Sequence, residues 1–165
     1  SKNIPDFILR PTYRVYENKL ISEIMEDRVP RHVGLIMDGN RRYAASKGLP
    51  AYYGHDMGMK KVEEFLEWAN EIGIKVVTLY AFSTENFNRD DDEVKHIMDM
   101  FEQRFKEVAT NEKIIENRVR VKAIGNISML PENVRLAIQE GESATENFNN
   151  MALNVCIAYG GGCVF

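Results

Sequence analysis

The chain has 165 residues, enough for one domain with a core of its own, and its 44% hydrophobic and 28% charged residues exclude a disordered or fibrous protein. Lys and Arg number 21 against 25 Asp and Glu, a net charge of -4. That balance excludes a general attraction to nucleic acid or anionic lipid, so an anion bound here must meet a local cluster of donors.

Ser1 to Arg10 lack the charged-then-apolar pattern of a signal peptide, and no run approaches the roughly 20 apolar residues that span a bilayer. A cytoplasmic setting is expected. Cys156 and Cys163 agree with it, because they form no disulfide framework and no zinc-ligand spacing. An amphipathic segment from about Tyr13 to Asp27 ends before Pro30. The first strand is expected over His32 to Met37. A helix over Gly58 to Ile72 buries Val62, Phe65, Leu66 and Ala69 on one face, turns Lys60, Glu63, Glu64, Glu67 and Glu71 outward, and stops at Gly73. The second strand spans Val76 to Phe82. A helix from about Asp92 to Asn111 carries Val94, Ile97, Met98, Phe101, Phe105 and Val108 at helical spacing. The third strand spans Val119 to Gly125, a helix starts at Pro131, and the last strand spans Ala152 to Tyr159.

This order predicts a single α/β domain over 1–165 with right-handed crossovers and a mostly parallel sheet flanked by helices. The near-continuous apolarity of runs such as Val76 to Phe82 predicts strands covered on both faces. A parallel strand normally feeds a crossover helix, so a last strand followed only by Gly160 to Phe165 reads as a domain cut short on its C-terminal side.

In a parallel sheet, ligands sit outside the carboxyl ends of the strands, and the unusual residues fall there. The first strand runs into Asp38-Gly39-Asn40-Arg41-Arg42, the second into Ser83-Thr84-Glu85-Asn86-Phe87-Asn88-Arg89, the third into Gly125-Asn126, and the fourth into Tyr159-Gly160-Gly161. Asp38 suits Mg²⁺, which takes one or two carboxylates and completes its shell with water and phosphate. Gly39 admits close approach, the backbone N–H groups of Asn40, Arg41 and Arg42 open a helix, and the two guanidinium groups add forked, charged donors. The same residues are also ordinary turn chemistry. No G-x-x-x-x-G-K-[ST] loop and no G-x-G-x-x-G after a strand is present. His55, after Gly54, is a phosphate donor or a packed histidine. Ser83 to Arg89 hold more functional groups than a connecting turn needs, though a solvated loop accounts for them too. Phe101 and Phe105 read as core, or as lining for a hydrocarbon.

The segment His32 to Ala44, the Gly54-His55 pair, Leu79 to Arg89, and Leu153 to Gly161 resemble the cis-prenyltransferases, the undecaprenyl diphosphate synthase family, over nearly the whole chain and in the right order. Tyr16 to Leu20 and Arg118 to Gly125 look most like the archaeal branch, which primes with geranylgeranyl diphosphate. The resemblance implies condensation of isopentenyl diphosphate onto an allylic prenyl diphosphate, each new double bond cis, to make a long-chain polyprenyl diphosphate, precursor of a glycosyl carrier lipid. It implies Asp38 as catalytic residue and Mg²⁺ ligand, and Gly39, Asn40, Arg41 and Arg42 holding the allylic diphosphate beside Tyr43 and His55. It implies Ser83, Thr84 and Glu85 contacting substrate, Asn86 at the proton-removal position, Phe87 and Arg89 completing the pocket, and Glu93 at a position the family uses nearby. It also implies a homodimer when complete, and peripheral membrane contact through the product. The departures are Ala51 for an arginine of bacterial members, Tyr43 and Phe87 for tryptophans, Asp90 for a proline, and the lack of the family's C-terminal part. Two expectations follow: an elongating enzyme, or a binding-only, inactive homologue that keeps the allylic diphosphate site.

Overall fold

The computed structural model describes residues 6–26 and 28–160; Gly161, Gly162 and Cys163 lie outside them. In chain order these form α1 (Asp6–Glu26), β1 (His32–Ile36), α2 (Asn40–Ser46), α3 (Ala51–Glu71), β2 (Val76–Ser83), a 3₁₀ turn (Thr84–Asn88), α4 (Asp91–Val108), α5 (Glu112–Glu116), β3 (Val119–Ile124), a second 3₁₀ turn (Ile127–Met129), α6 (Glu132–Thr145) and β4 (Met151–Tyr159). The four strands form one parallel sheet in the order β1-β2-β4-β3.

Register divides the side chains between two faces. Val33, Val77, Leu153 and Val121 lie in one row, and Leu35, Leu79, Val155 and Ala123 in the next on the same face. These residues join Ile97, Met98, Phe101 and Phe105 of α4 and Val134, Ala137 and Ile138 of α6 in the core. The opposite face, with His32, Gly34 and Ile36 on β1 and Arg120 and Lys122 on β3, is exposed at both margins among the described residues. The expectation of a sheet covered on both faces therefore holds for one face and for the middle of the other, where Tyr80 is half-buried and Cys156 buried, and fails at the margins. The outer strands show the reason in their pattern: β3 alternates Val-Arg-Val-Lys-Ala, buried then exposed, as a strand with one wet side does.

β3 is an edge strand whose outward N–H groups are met by side chains of α6. Val121 N–H donates to Thr145 Oγ1 at 3.1 Å and Ala123 N–H donates to Glu142 Oε1 at 2.8 Å. Fully buried Thr145 in turn donates to Gly141 O at 3.0 Å. The edge is thus satisfied without another strand, as buried backbone groups require.

Helix α4 follows from local rules. Asp90 caps it by accepting from Asp92 N–H at 3.0 Å, three acids occupy its first turn and Lys106 its last, which suits the helix dipole. It ends at Val108, and Asn111 caps the separate α5 by accepting from Ile114 N–H at 3.1 Å. Helix α3 starts at Ala51, seven residues before the expected Gly58. Gly54 and Gly58 look like breakers but serve as a contact. A Cβ on Gly54 would lie 2.0 Å from Asn40 O, and one on Gly58 2.7 Å from the Asn40 carboxamide. The start of α2 can therefore lie against α3 only where α3 has no side chains.

Candidate active site

At the carboxyl ends of β1, β2 and β4 lies a cleft of about 550 Å³. Asp38 follows β1, its N–H held by Ile36 O at 3.1 Å. Gly39 then takes φ 87°, a left-handed turn that favours glycine, and starts α2. Arg42 Nη2 donates to Asp38 Oδ2 at 3.0 Å, with both side chains about four-fifths exposed to the cleft and solvent (80% and 79%). Helix α2 has only seven residues, so its dipole adds little and the positive charge comes from Arg41 and Arg42.

The second wall comes from β2. Its pairing with β4 is irregular between Tyr80 and Ser83, a bulge of the kind that re-aims side chains at the end of a strand. Ser83 then opens the 3₁₀ turn in a reciprocal cap with Asn86: the Asn86 carboxamide oxygen accepts from Ser83 N–H at 2.9 Å. Ser83, Thr84, Glu85, Asn86 and Arg89 line the cleft opposite Asp38, Gly39, Asn40, Arg41 and Arg42, and His55 lines it from α3. Tyr80 Oη donates to Tyr159 O at 3.1 Å, closing the floor between β2 and β4.

Two expected site residues do not reach this lining. Tyr43 is exposed on α2, and Phe87 turns its ring edge-on to Phe82 with centroids 4.9 Å apart. Gly125-Asn126, after β3, also lies outside it. Glu93 stands behind the wall, one oxygen 2.9 Å from both His55 Nε2 and Arg89 Nη1. His96 pairs instead with Asp56 at 3.2 Å, and His32 with Thr78 at 2.8 Å. Burial pushes the Cys156 thiol up, which keeps it protonated and poorly reactive.

Next to the cleft lies an apolar cavity of about 410 Å³ between α3, α4 and the covered face of the sheet, the two sharing Met59, Ala81 and Phe101 as walls. Val62, Leu66, Leu79, Phe105, Leu153 and Val155 line the cavity. Phe101 and Phe105 are thus both buried core and cavity wall. On the outer side, Glu63 pairs with Arg104 at 2.9 Å and Glu67 with Lys113, joining α3 to α4 and α5.

Among the described residues no three His, Cys, Asp or Glu side chains cluster to hold a metal. A single carboxylate at a cleft mouth, with one oxygen held by Arg42, still fits Mg²⁺, which keeps several waters and takes phosphate oxygens from a ligand. No described helix is long and apolar enough to cross a membrane.

Comparison with known proteins agrees with this geometry. The prenyltransferase family model for undecaprenyl diphosphate synthase matches residues 36–163. The chain is 48% identical over 159 residues to the tritrans,polycis-undecaprenyl-diphosphate synthase (geranylgeranyl-diphosphate specific) of Pyrococcus abyssi, covering 96% of this chain and 60% of that protein. It is 51% identical over 148 residues to the synthase of the same name from Methanocaldococcus jannaschii, covering 90% and 53%. The crystal structure of lavandulyl diphosphate synthase from Lavandula x intermedia, in complex with dimethylallyl diphosphate, is similar with a TM-score of 0.75 at 34% identity over 80% of this chain and 56% of that one. A probable undecaprenyl diphosphate synthase from Campylobacter jejuni gives 0.64 at 30% identity over 81% and 57%. The chain thus spans at most about 60% of the length of these relatives. With its parallel sheet and its strand-end cleft, the chain belongs to the undecaprenyl diphosphate synthase family.

Proposed function

We propose that the chain acts in cis-prenyl transfer, adding isopentenyl diphosphate to an allylic prenyl diphosphate to build a long polyprenyl diphosphate, the precursor of a glycosyl carrier lipid. The observation that carries this reading is a polar, arginine-bearing cleft that shares three wall residues with an apolar cavity beside it, an arrangement that suits a substrate with a diphosphate head and a hydrocarbon tail. The wording of the archaeal relatives' name supports geranylgeranyl diphosphate as the primer.

In this reaction the allylic C–O bond breaks, a C–C bond forms to the second substrate, and a proton leaves. Arg41 and Arg42 bind the allylic diphosphate, and Gly39 and Asn40 let it approach the backbone. Fixed cations at this point stabilise the charge that grows on the leaving diphosphate more than the ground state, which is how they speed the step. Asp38 is the residue that would hold Mg²⁺, which would supply further neutralisation of phosphate charge. Ser83, Thr84 and Glu85 contact substrate and Arg89 completes the pocket, and holding the second substrate's double bond close to the allylic carbon removes much of the entropic barrier. Asn86 positions the group that takes the proton, diphosphate or water, rather than taking it: an amide is a weak base, and its oxygen already accepts from Ser83 N–H. Tyr43 and Phe87 contribute from outside the lining, Phe87 by packing the turn onto Phe82. Cytoplasmic location, homodimer formation by the complete protein and peripheral membrane contact through an oily product are parts of the same reading.

The test is incubation of the 165-residue chain with Mg²⁺, labelled isopentenyl diphosphate and geranylgeranyl diphosphate, with products resolved by length. Elongation is expected. Primer binding without elongation assigns the chain to the binding-only reading, and the lack of both rejects the proposal.

A further inference from the structure

The contact between Glu93, His55 and Arg89 joins three separate parts of the chain: the start of α3, the residue after the 3₁₀ turn, and the first turn of α4. One oxygen, Glu93 Oε1, lies 2.9 Å from His55 Nε2 and 2.9 Å from Arg89 Nη1. The His55 and Glu93 side chains are 9% and 11% exposed and that of Arg89 is 22%. This burial separates them from the exposed ion pairs elsewhere on the molecule, such as Lys61–Glu64.

A carboxylate only accepts hydrogen bonds, so both neighbours donate to it. The proton on His55 is thereby fixed on Nε2, and Nδ1 is the other polar atom of a ring that lines the cleft. Arg89 spends one N–H on Glu93 and has the rest of its fork for the same cleft. We propose that Glu93 is a positioning residue that locks His55 and Arg89 into one two-pronged clamp for a substrate diphosphate, with His55 Nδ1 and the remaining Arg89 N–H groups as its prongs. The inference rests on the diphosphate reading of the cleft. A phosphate oxygen accepts, so binding of the diphosphate brings a proton from solvent onto Nδ1, and the ring then donates to Glu93 from one nitrogen and to the diphosphate from the other. The Arg89 guanidinium in a mostly buried wall needs a counter-charge while the cleft is empty, and the carboxylate behind it supplies that and holds both rotamers ready.

The test combines ¹⁵N spectra of histidine-labelled chain, assigned against His55→Gln, with calorimetric titration of inorganic pyrophosphate. Wild type is expected to show His55 as the Nε2–H tautomer. Glu93→Ala mixes the tautomers and weakens pyrophosphate binding by about tenfold or more, the scale of a lost charged hydrogen bond. Glu93→Gln keeps an acceptor oxygen, and therefore the tautomer, and loses less affinity than the alanine variant although its charge is gone. If the alanine variant does not fold, Glu93→Met, which keeps the volume and drops the acceptor, gives the same two readings. Unchanged affinity or an unchanged tautomer without the acceptor overturns the clamp. Wild-type chain that binds no pyrophosphate overturns the diphosphate reading itself, and is distinguishable because the clamp alone fails when wild-type binding survives Glu93→Ala.

Discussion

Asp38 couples a proposed catalytic role to a small structural one. Its side chain is mostly exposed, and its side-chain partner is Arg42, four residues on. Exposed pairs of this kind contribute about 0 to 1 kcal/mol, so Asp38→Ala is expected to shift stability by no more than that while abolishing elongation. Thermal melting alongside the elongation assay checks both halves, and retained turnover removes Asp38 from its role. At this scale the sequence was most legible where chemistry is contiguous. Asp38 to Arg42 and Ser83 to Asn86 each come from one stretch at a strand end, and the fold brings the two stretches to opposite walls of one cleft. It was least legible where a side chain's direction matters. Tyr43 and Phe87 come directly after these stretches yet turn elsewhere, because helical and 3₁₀ geometry sends neighbours to different sides. The hold of Glu93 on His55 crosses 38 positions and leaves no local trace beyond an acid in a helix's first turn.

Among the elements, the contact of α2 with α3 controls the cleft most directly. Asn40 begins α2, next to Asp38 and Gly39, and its carbonyl rests where a Gly54 side chain would be. A methyl group cannot fit at 2.0 Å from a backbone oxygen, so Gly54→Ala must move α2 or α3. The expected loss is about 1 to 3 kcal/mol of stability, read by urea unfolding, together with weaker primer binding as the Asp38–Arg42 segment shifts. An unperturbed melt would show that the two helices are not tightly opposed. The same glycines explain why the predicted start of α3 fell late: propensity counts glycine against a helix, and only the tertiary contact reveals its use. The four strands were legible to within a residue at either end, because each is a short apolar run between polar turns.

For the whole molecule, the parallel order β1-β2-β4-β3 gathers the ends of β1, β2 and β4 at the cleft and leaves the covered face behind it for the apolar cavity. Parallel topology was readable from the alternation of strands and helices, whereas the exposed margins of the second face were not, since the apolar runs of β2 and β4 between them are strands with much of both sides covered. The cavity was legible only as an ambiguity: Phe101 and Phe105 sit at core spacing whether or not space lies beside them. On the outer side of that space, the Glu63–Arg104 and Glu67–Lys113 pairs tie α3 to α4 and α5. Replacing Glu63 and Glu67 by glutamine is expected to lengthen the longest polyprenyl products, measured by chromatographic sizing, with little change in the rate of the first condensation. An unaltered length distribution would show that this seam does not limit growth.

On the proposed reading, a lipid that outgrows the chamber would slip between those charged stitches, each set in reach of dissolved ions and so weakened by them. Sodium chloride, a bystander to the bond-making, would then act as a dial on how long the finished tail becomes.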